Sequence, residues 1–293
     1  MDLRKAQTIT LLCAIISKYE KGVSRSLSPQ LSIPAYRLLA HLSLPETALG
    51  TLERLAWAAV MRPVDVEAAL DDLLSTGHVA KLDEGYHLTT SGQAQLACAN
   101  HALAAYRAAS TARLSPDETT RLDETVAAAL ETPGSFYGKA ACLSRENLQP
   151  VHRMAVLFPM GQAMSRVVKK SAGLSLTDYR FLLELYPKRR GVVKRLRARD
   201  LVGFLRVGRS YVSTASTRLE EQGLIERIPD EQDARGVLYQ LTPFGAHCVS
   251  TMGEDIYVVA ASLLTDRIDE RSFLLLLRHW LEGEDAALAI GEA

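Results

Sequence analysis

Between positions 188 and 209 the sequence places nine cations: Lys188, Arg189, Arg190, Lys194, Arg195, Arg197, Arg199, Arg206 and Arg209. Fixed positive charge is what a row of phosphates requires, and it gives affinity without preference for base sequence. Arg209, Ser210, Tyr211, Ser213, Thr214, Thr217 and Arg218 follow, with Val212, Ala215 and Leu219 interleaved at helical spacing. On a helix the apolar set turns to a core, which leaves the cations and hydroxyls free for the opposite face. Arginine can bond guanine at two points, and a hydroxyl bonds either a base edge or a phosphate. Solvated helix faces carry the same residue types; the basic run directly before this one is what gives it meaning. Further along, Asp233-Ala234-Arg235 lies in a polar stretch between two β-rich runs.

The elements that must hold these residues can be read from the same stretch. Gly208 ends a short helix that includes Leu201 to Leu205, and the next helix runs from about Arg209 to Gln222. Gly223 suits the position just past a helix end. Ile225 to Ile228 and Val237 to Leu241 read as strands, with Pro229-Asp230-Glu231-Gln232-Asp233 as the loop between them. Two short helices followed by a β-hairpin make a winged helix.

The pattern occurs twice. Tyr36-Arg37-Leu38-Leu39 returns as Tyr179-Arg180-Phe181-Leu182, offset by 143. Leu73 to Val79 returns as Leu219 to Ile225, offset by 146, and Tyr86-His87-Leu88-Thr89-Thr90-Ser91-Gly92 as Tyr239-Gln240-Leu241-Thr242-Pro243-Phe244-Gly245, offset by 153. Offsets that grow in order are what short insertions into a second copy of one domain produce. The charge differs between the copies. Tyr36 to Gly92 carries four Lys/Arg and eight Asp/Glu, whereas Tyr179 to Gly245 carries thirteen and eight. With Gly77 aligned on Gly223, the helix of the first copy spans Pro63 to Thr76 and turns Asp65, Glu67, Asp71 and Asp72 outward. An acidic helix is repelled by phosphates and finds few acceptable base partners beyond cytosine amines. Its wing, Lys81-Leu82-Asp83-Glu84-Gly85, is about seven residues shorter and has no arginine at its tip.

The chain of 293 residues, 47% apolar and 23% charged with no net charge, has length for about two domains and material for real cores. We expect a mainly α fold with small β-hairpins (α+β): two winged helix-turn-helix domains, residues 1–134 and 135–293, meeting at Pro133-Gly134, with a helical dimerisation-type region. Ser115-Pro116-Asp117-Glu118 is a capping-box start. Apolar stripes mark further helices at Ile9 to Ile16, at Met154 to Val168 and at Phe273, Leu274, Leu277, Trp280 and Leu281. No apolar run approaches a membrane span, and Ser17-Lys18-Tyr19-Glu20-Lys21 stands where a signal peptide needs small residues. The scattered cysteines, Cys13, Cys98, Cys142 and Cys248, fit reduced thiols in a cytoplasmic protein. The histidines form no HxxxH or HxxH pair, and there is no P-loop, GxGxxG or GxSxG. No metal, cofactor or catalytic role is expected.

The second half resembles the MarR family of bacterial transcription regulators. The resemblance is carried by Leu201, by Arg209-Ser210-Tyr211-Val212-Ser213 and by Arg218 through Arg227. Asp230 through Gly236 and Leu241-Thr242-Pro243-Phe244-Gly245 complete it. It covers roughly residues 150–285, and the first half is similar to a degenerate copy. The resemblance implies a tandem form acting on double-stranded DNA mainly through the second copy, by default as a repressor that occludes its operator. The implied DNA-contacting residues are Arg197, Arg199, Arg209, Ser210, Tyr211, Ser213, Thr214, Thr217 and Arg218, with Asp233 orienting Arg235 at the loop tip for the minor groove. It also implies a small, often aromatic or anionic effector, and either a homodimer or a pseudo-dimer within one chain. The alternative is a protein-interaction module or anti-regulator that binds another regulatory protein through the acidic first copy.

Overall fold

The computed structural model describes the chain except residues 28, 30, 45–50, 60, 84, 132–148, 188–191, 231–232, 264–267 and 291–293; the Pro133-Gly134 junction and Lys188, Arg189 and Arg190 lie outside the described residues. The first set of elements is α1 (Leu3–Leu27), α2 (Ile33–Leu42), α3 (Leu52–Ala58), α4 (Pro63–Ser75), β1 (Val79–Leu82), β2 (Gly85–Leu88), α5 (Thr90–Ser110) and α6 (Pro116–Glu131). The second is α7 (Gln149–Ala172), α8 (Leu176–Leu185), β3 (Leu196–Arg197), α9 (Ala198–Leu205), α10 (Arg209–Glu221), β4 (Ile225–Asp230), β5 (Asp233–Leu241), α11 (Pro243–Ala260) and α12 (Glu270–Ile290). Apart from β3 and a 3-10 turn at Ala261–Leu263, the order of the second set repeats that of the first. The fold is mainly helical with small antiparallel sheets. No described helix is long and apolar enough to cross a membrane.

The chain forms two compact units, and each draws on both sides of position 134. One comprises residues 1–14 and 160–261. Its core holds Ile9, Leu12, Met164, Tyr179, Phe181, Leu182, Leu201, Val212, Leu219, Ile225 and Ile256. Cys13 is buried here, with its Sγ 3.9 Å from Met164 Sδ, and burial pushes the thiol up to about 11. That suits a structural thiol and not a reactive thiolate. Strand β5 is central in a three-stranded antiparallel sheet, with β3 on one side and β4 on the other.

The other unit comprises residues 15–159 and 262–293. A two-stranded sheet, β1 with β2, closes at Leu82↔Gly85. Helix α12 packs on α5. The contact is close, since a methyl group at Gly283 would stand 2.0 Å from the Ser110 carbonyl oxygen. Trp280, Phe273, Leu277, Tyr36, Leu122 and Val126 are buried. The expected capping box is present: the Ser115 N–H donates to Glu118 Oε2 at 2.9 Å, and the Glu118 N–H to Ser115 Oγ at 3.2 Å.

Two local devices recur in both units. Gly77 and Gly223 take φ values of +70° and +68° just past α4 and α10. Each allows a Schellman closure, His78 N–H to the Leu73 carbonyl and Leu224 N–H to the Leu219 carbonyl, both at 2.9 Å. Four residues after each hairpin's last Leu, a glycine sits against a carbonyl. An added methyl would stand 2.0 Å from the His78 oxygen at Gly92 and 1.9 Å from the Leu224 oxygen at Gly245. Thr89 and Thr242 bridge the same turns, each accepting the N–H of the following glycine and donating to the carbonyl of Gly77 or Gly223. The Leu-Thr-x-x-Gly pattern is thus the joint that docks α5 and α11 on the end of the preceding helix.

Candidate nucleic-acid interface

Helix α10 is positioned by Val212, Ala215, Ser216 and Leu219, which are all buried. Arg209, Ser210, Ser213 and Thr214 are exposed on the side this leaves. The structure corrects one boundary. Gly208 does not end α9 but caps the start of α10; α9 ends at Leu205, and Arg206 takes the left-handed conformation (φ 52°). A side chain in that region costs about 1 kcal/mol or more, so Arg206 sits where a glycine would be at ease.

Thr217 and Arg218 are exposed as the helical spacing suggested and Tyr211 is half-buried, and each of the three also has a partner inside the domain. The Tyr211 hydroxyl donates to Asp178 Oδ1 at 2.9 Å, and Arg218 Nη2 reaches the same oxygen at 2.5 Å. Asp178 is the third residue of α8, and its other oxygen takes the Ser175 N–H at 3.1 Å and the Ser175 hydroxyl at 2.7 Å. The carboxylate is 4% exposed, and Arg218 is 44% exposed. Burial works against the charge of Asp178, but the bonds from Ser175 and Tyr211 and the charge of Arg218 outweigh it and hold the carboxyl below its ordinary range. Thr217 Oγ1 accepts from Arg227 Nη2 at 2.8 Å, and Arg227 also meets Glu220 at 3.1 Å and lies over the Tyr239 ring. Arg227 thereby fastens α10 to β4. The spacing of seven between Tyr211 and Arg218, two helical turns on one face, and the Ser-x-x-Asp box at 175 were the available signals for this set.

The wing differs from the expected loop. Pro229 and Asp230 belong to β4 and Asp233 begins β5; residues 231–232 between them lie outside the described set. Asp230 pairs with Asp233, but the next pair is Pro229 with Val237. Three residues of β5, Ala234 to Gly236, therefore bulge opposite a single step of β4. Arg235 has its backbone in that bulge and not at the tip; its side chain lies outside the described residues. A bulge is a means of aiming side chains out of a sheet. Asp233 is exposed. In the same wing Asp230, 4% exposed, bonds Arg197 Nε at 2.5 Å. The bond from Asp230 and that acid's charge raise the Arg197 pKa.

Arg197 also leads into α9, with its N–H donating to Asp200 Oδ2 at 2.9 Å. Arg195, Arg197, Arg199, Asp200, Pro229, Asp230 and Leu238 line a groove of about 360 Å³ between the start of α9 and the wing. Arg195 reaches Gln240 at 2.9 Å, and exposed Arg199 stands 3.8 Å from Asp200. Three of the sequence's cations thus line one groove together with two acids, Asp200 and Asp230. In the other unit the corresponding helix α4 exposes Glu67, Asp71 and Asp72, and Asp65 is bonded at both oxygens by Arg62, at 2.6 and 2.7 Å.

A helix-turn-helix with an exposed polar second helix, a three-stranded wing and a cationic groove between them defines the class: a winged helix. The comparison with known families agrees, since residues 174–237 match the sequence model described as MarR family, so this winged helix carries the MarR pattern. Among solved structures, the chain is similar to Sco3205, a MarR family transcriptional regulator from Streptomyces coelicolor solved in complex with DNA. That match has 25% identity over 48% of this chain and 89% of that one, with a TM-score of 0.39. It is also similar to AbsC, a MarR family transcriptional regulator from Streptomyces coelicolor (22% identity, 51% and 95% covered, TM-score 0.38). A third is BldR, a transcriptional regulator from Sulfolobus solfataricus (23% identity, 50% and 99% covered, TM-score 0.37). No curated protein matches the chain.

Proposed function

We propose that the protein is a MarR-type transcription regulator that binds double-stranded DNA through its second winged helix and represses by occupying its operator. The observation that carries the reading is the contrast of helix faces: α10 exposes Arg209, Ser210, Ser213 and Thr214, while α4 exposes Glu67, Asp71 and Asp72. In this reading α10 enters a major groove. Arg195, Arg199 and the start of α9 meet one strand's phosphates, and the bulge carrying Arg235 reaches an adjacent minor groove, whose negative potential favours a cation. Asp233 then acts near that bulge, and Arg197 fixes the groove through Asp230. The repeated order of elements and the paired glycine devices support two copies of one domain, 1–134 and 135–293. With one cationic copy per chain, two reading heads require two chains, so the regulator is a homodimer. An effector of unknown identity is consistent with this plan.

A second reading, binding to another regulatory protein, is favoured by one observation, the exposed acidic face of α4. The two are separated by gel shift on the protein's own upstream DNA and on random DNA over a salt series. The proposal expects discrimination of about 10³ or more, weakened by Arg209→Ala and Arg235→Ala and untouched by Asp71→Ala. Binding that is equal for both DNAs, or lost only with Asp71→Ala, refutes it.

A further inference from the structure

We propose that Asp178 is the positioning residue of the DNA-reading face, and that Arg218, aimed by it, reads the DNA instead of merely bracing the fold. The inference rests on the DNA-binding reading above and specifies one part of it.

The carboxylate of Asp178 has all its acceptor positions in use: Oδ2 takes both donors of Ser175, and Oδ1 takes Tyr211 and Arg218. A carboxylate has about four lone-pair sites, so this acid is saturated by one helix cap and one neighbouring helix. Tyr211 and Arg218 lie two turns apart on α10, and bonding both to one atom of α8 fixes the rotation of α10 about its own axis. That rotation decides which side chains enter a groove. Arg218 is the member of the set that is not enclosed. Its Nη2 is bonded to a carboxylate 4% exposed, yet the side chain is 44% exposed. A guanidinium held at one edge has already lost rotamer freedom before it meets a ligand, and its fork of donors suits a guanine or a phosphate.

A second observation comes from the first copy. Ser32 caps α2 as Ser175 caps α8, its side chain accepting the Ala35 N–H as that of Ser175 accepts the Asp178 N–H. The residue at the Asp178 position is therefore Ala35. Helices α4 and α10 are both thirteen residues long and offset by 146, so Asp65 and Asp72 stand at the positions of Tyr211 and Arg218. The first copy keeps the cap, the Schellman turn and the glycine joint, and it lacks all three members of this set together. A device needed only to hold a winged helix in shape would have been kept with the others.

The test compares the whole chain with Asp178→Asn, Tyr211→Phe, Arg218→Ala and Asp178→Asn/Arg218→Ala, measuring affinity for the specific site, affinity for random DNA, and thermal midpoint. We expect Arg218→Ala and Asp178→Asn each to lower the specific-to-random ratio about tenfold, within the range of one lost bidentate contact. Tyr211→Phe, which keeps the ring, lowers it by less. The double variant loses less than the product of the two single losses, because Asp178 acts in large part through Arg218. Losses that are equal on both DNAs and follow the thermal midpoint, or that add in the double variant, overturn the inference while leaving the DNA-binding reading in place. Absence of specific binding by the unaltered chain overturns both.

Discussion

Replacing Glu284 by glutamine should change how stability depends on pH. Glu284 lies on α12, fully buried, and accepts hydrogen bonds from Trp280 Nε1 at 2.9 Å and from the Tyr106 hydroxyl. Burial pushes its pKa up to about 7 from an ordinary value of 4.5, although both bonds and the charges of Arg153 and Lys18 pull it down. Between those values the folded chain holds a proton that the unfolded chain has released. Stability from this group is therefore complete below about pH 4.5 and is lost as pH rises through 7. The loss is about 1.4 kcal/mol per pH unit, about 3 kcal/mol in all. Glu284→Gln removes the titration but leaves either Tyr106 or Trp280 facing an amide N–H, which costs about 1–2 kcal/mol at every pH. Urea unfolding at half-unit steps from pH 4.5 to 8 should show the variant less stable at the acid end and equal or more stable at the basic end. The difference should swing by about 3 kcal/mol. A difference that stays constant across the range would refute the reasoning.

Gly245→Ala and Gly92→Ala should each destabilise by about 2–3 kcal/mol in thermal unfolding, because the new methyl meets a backbone carbonyl that no rotamer change can move. A substitution tolerated without loss at either site would mean that its joint is looser than described. Arg206→Gly should be more stable than Arg206→Ala by about 1 kcal/mol, since only glycine relieves the left-handed backbone while both remove the side chain. Equal midpoints for the two would show that the conformation is not held.

What the sequence revealed of the fold was local. The Schellman glycines and the Leu-Thr-x-x-Gly joint are encoded within a few residues of chain, and Val212, Ala215 and Leu219 declare the buried side of α10 by spacing alone. Strand β3 was not legible, because two residues show no alternation. The site was read by type and not by engagement. Arg209, Ser210, Ser213 and Thr214 are exposed where periodicity put them. Tyr211 and Arg218 reach an acid 33 and 40 positions earlier, and Arg197 one 33 positions later. No spacing rule announces contacts of that range. The wing has a similar cause: polar residues from Pro229 to Asp233 read as a loop, yet Pro229 and Asp230 pair as the end of β4 and Asp233 pairs as the start of β5.

The central claim is that DNA lies against α10 and not α4. The most direct measurement is footprinting on the upstream DNA with Ser213→Glu and Ala68→Glu, each placing one negative charge on an exposed position of its helix. The account predicts that protection disappears with Ser213→Glu and persists with Ala68→Glu. Protection that survives Ser213→Glu and vanishes with Ala68→Glu would contradict it.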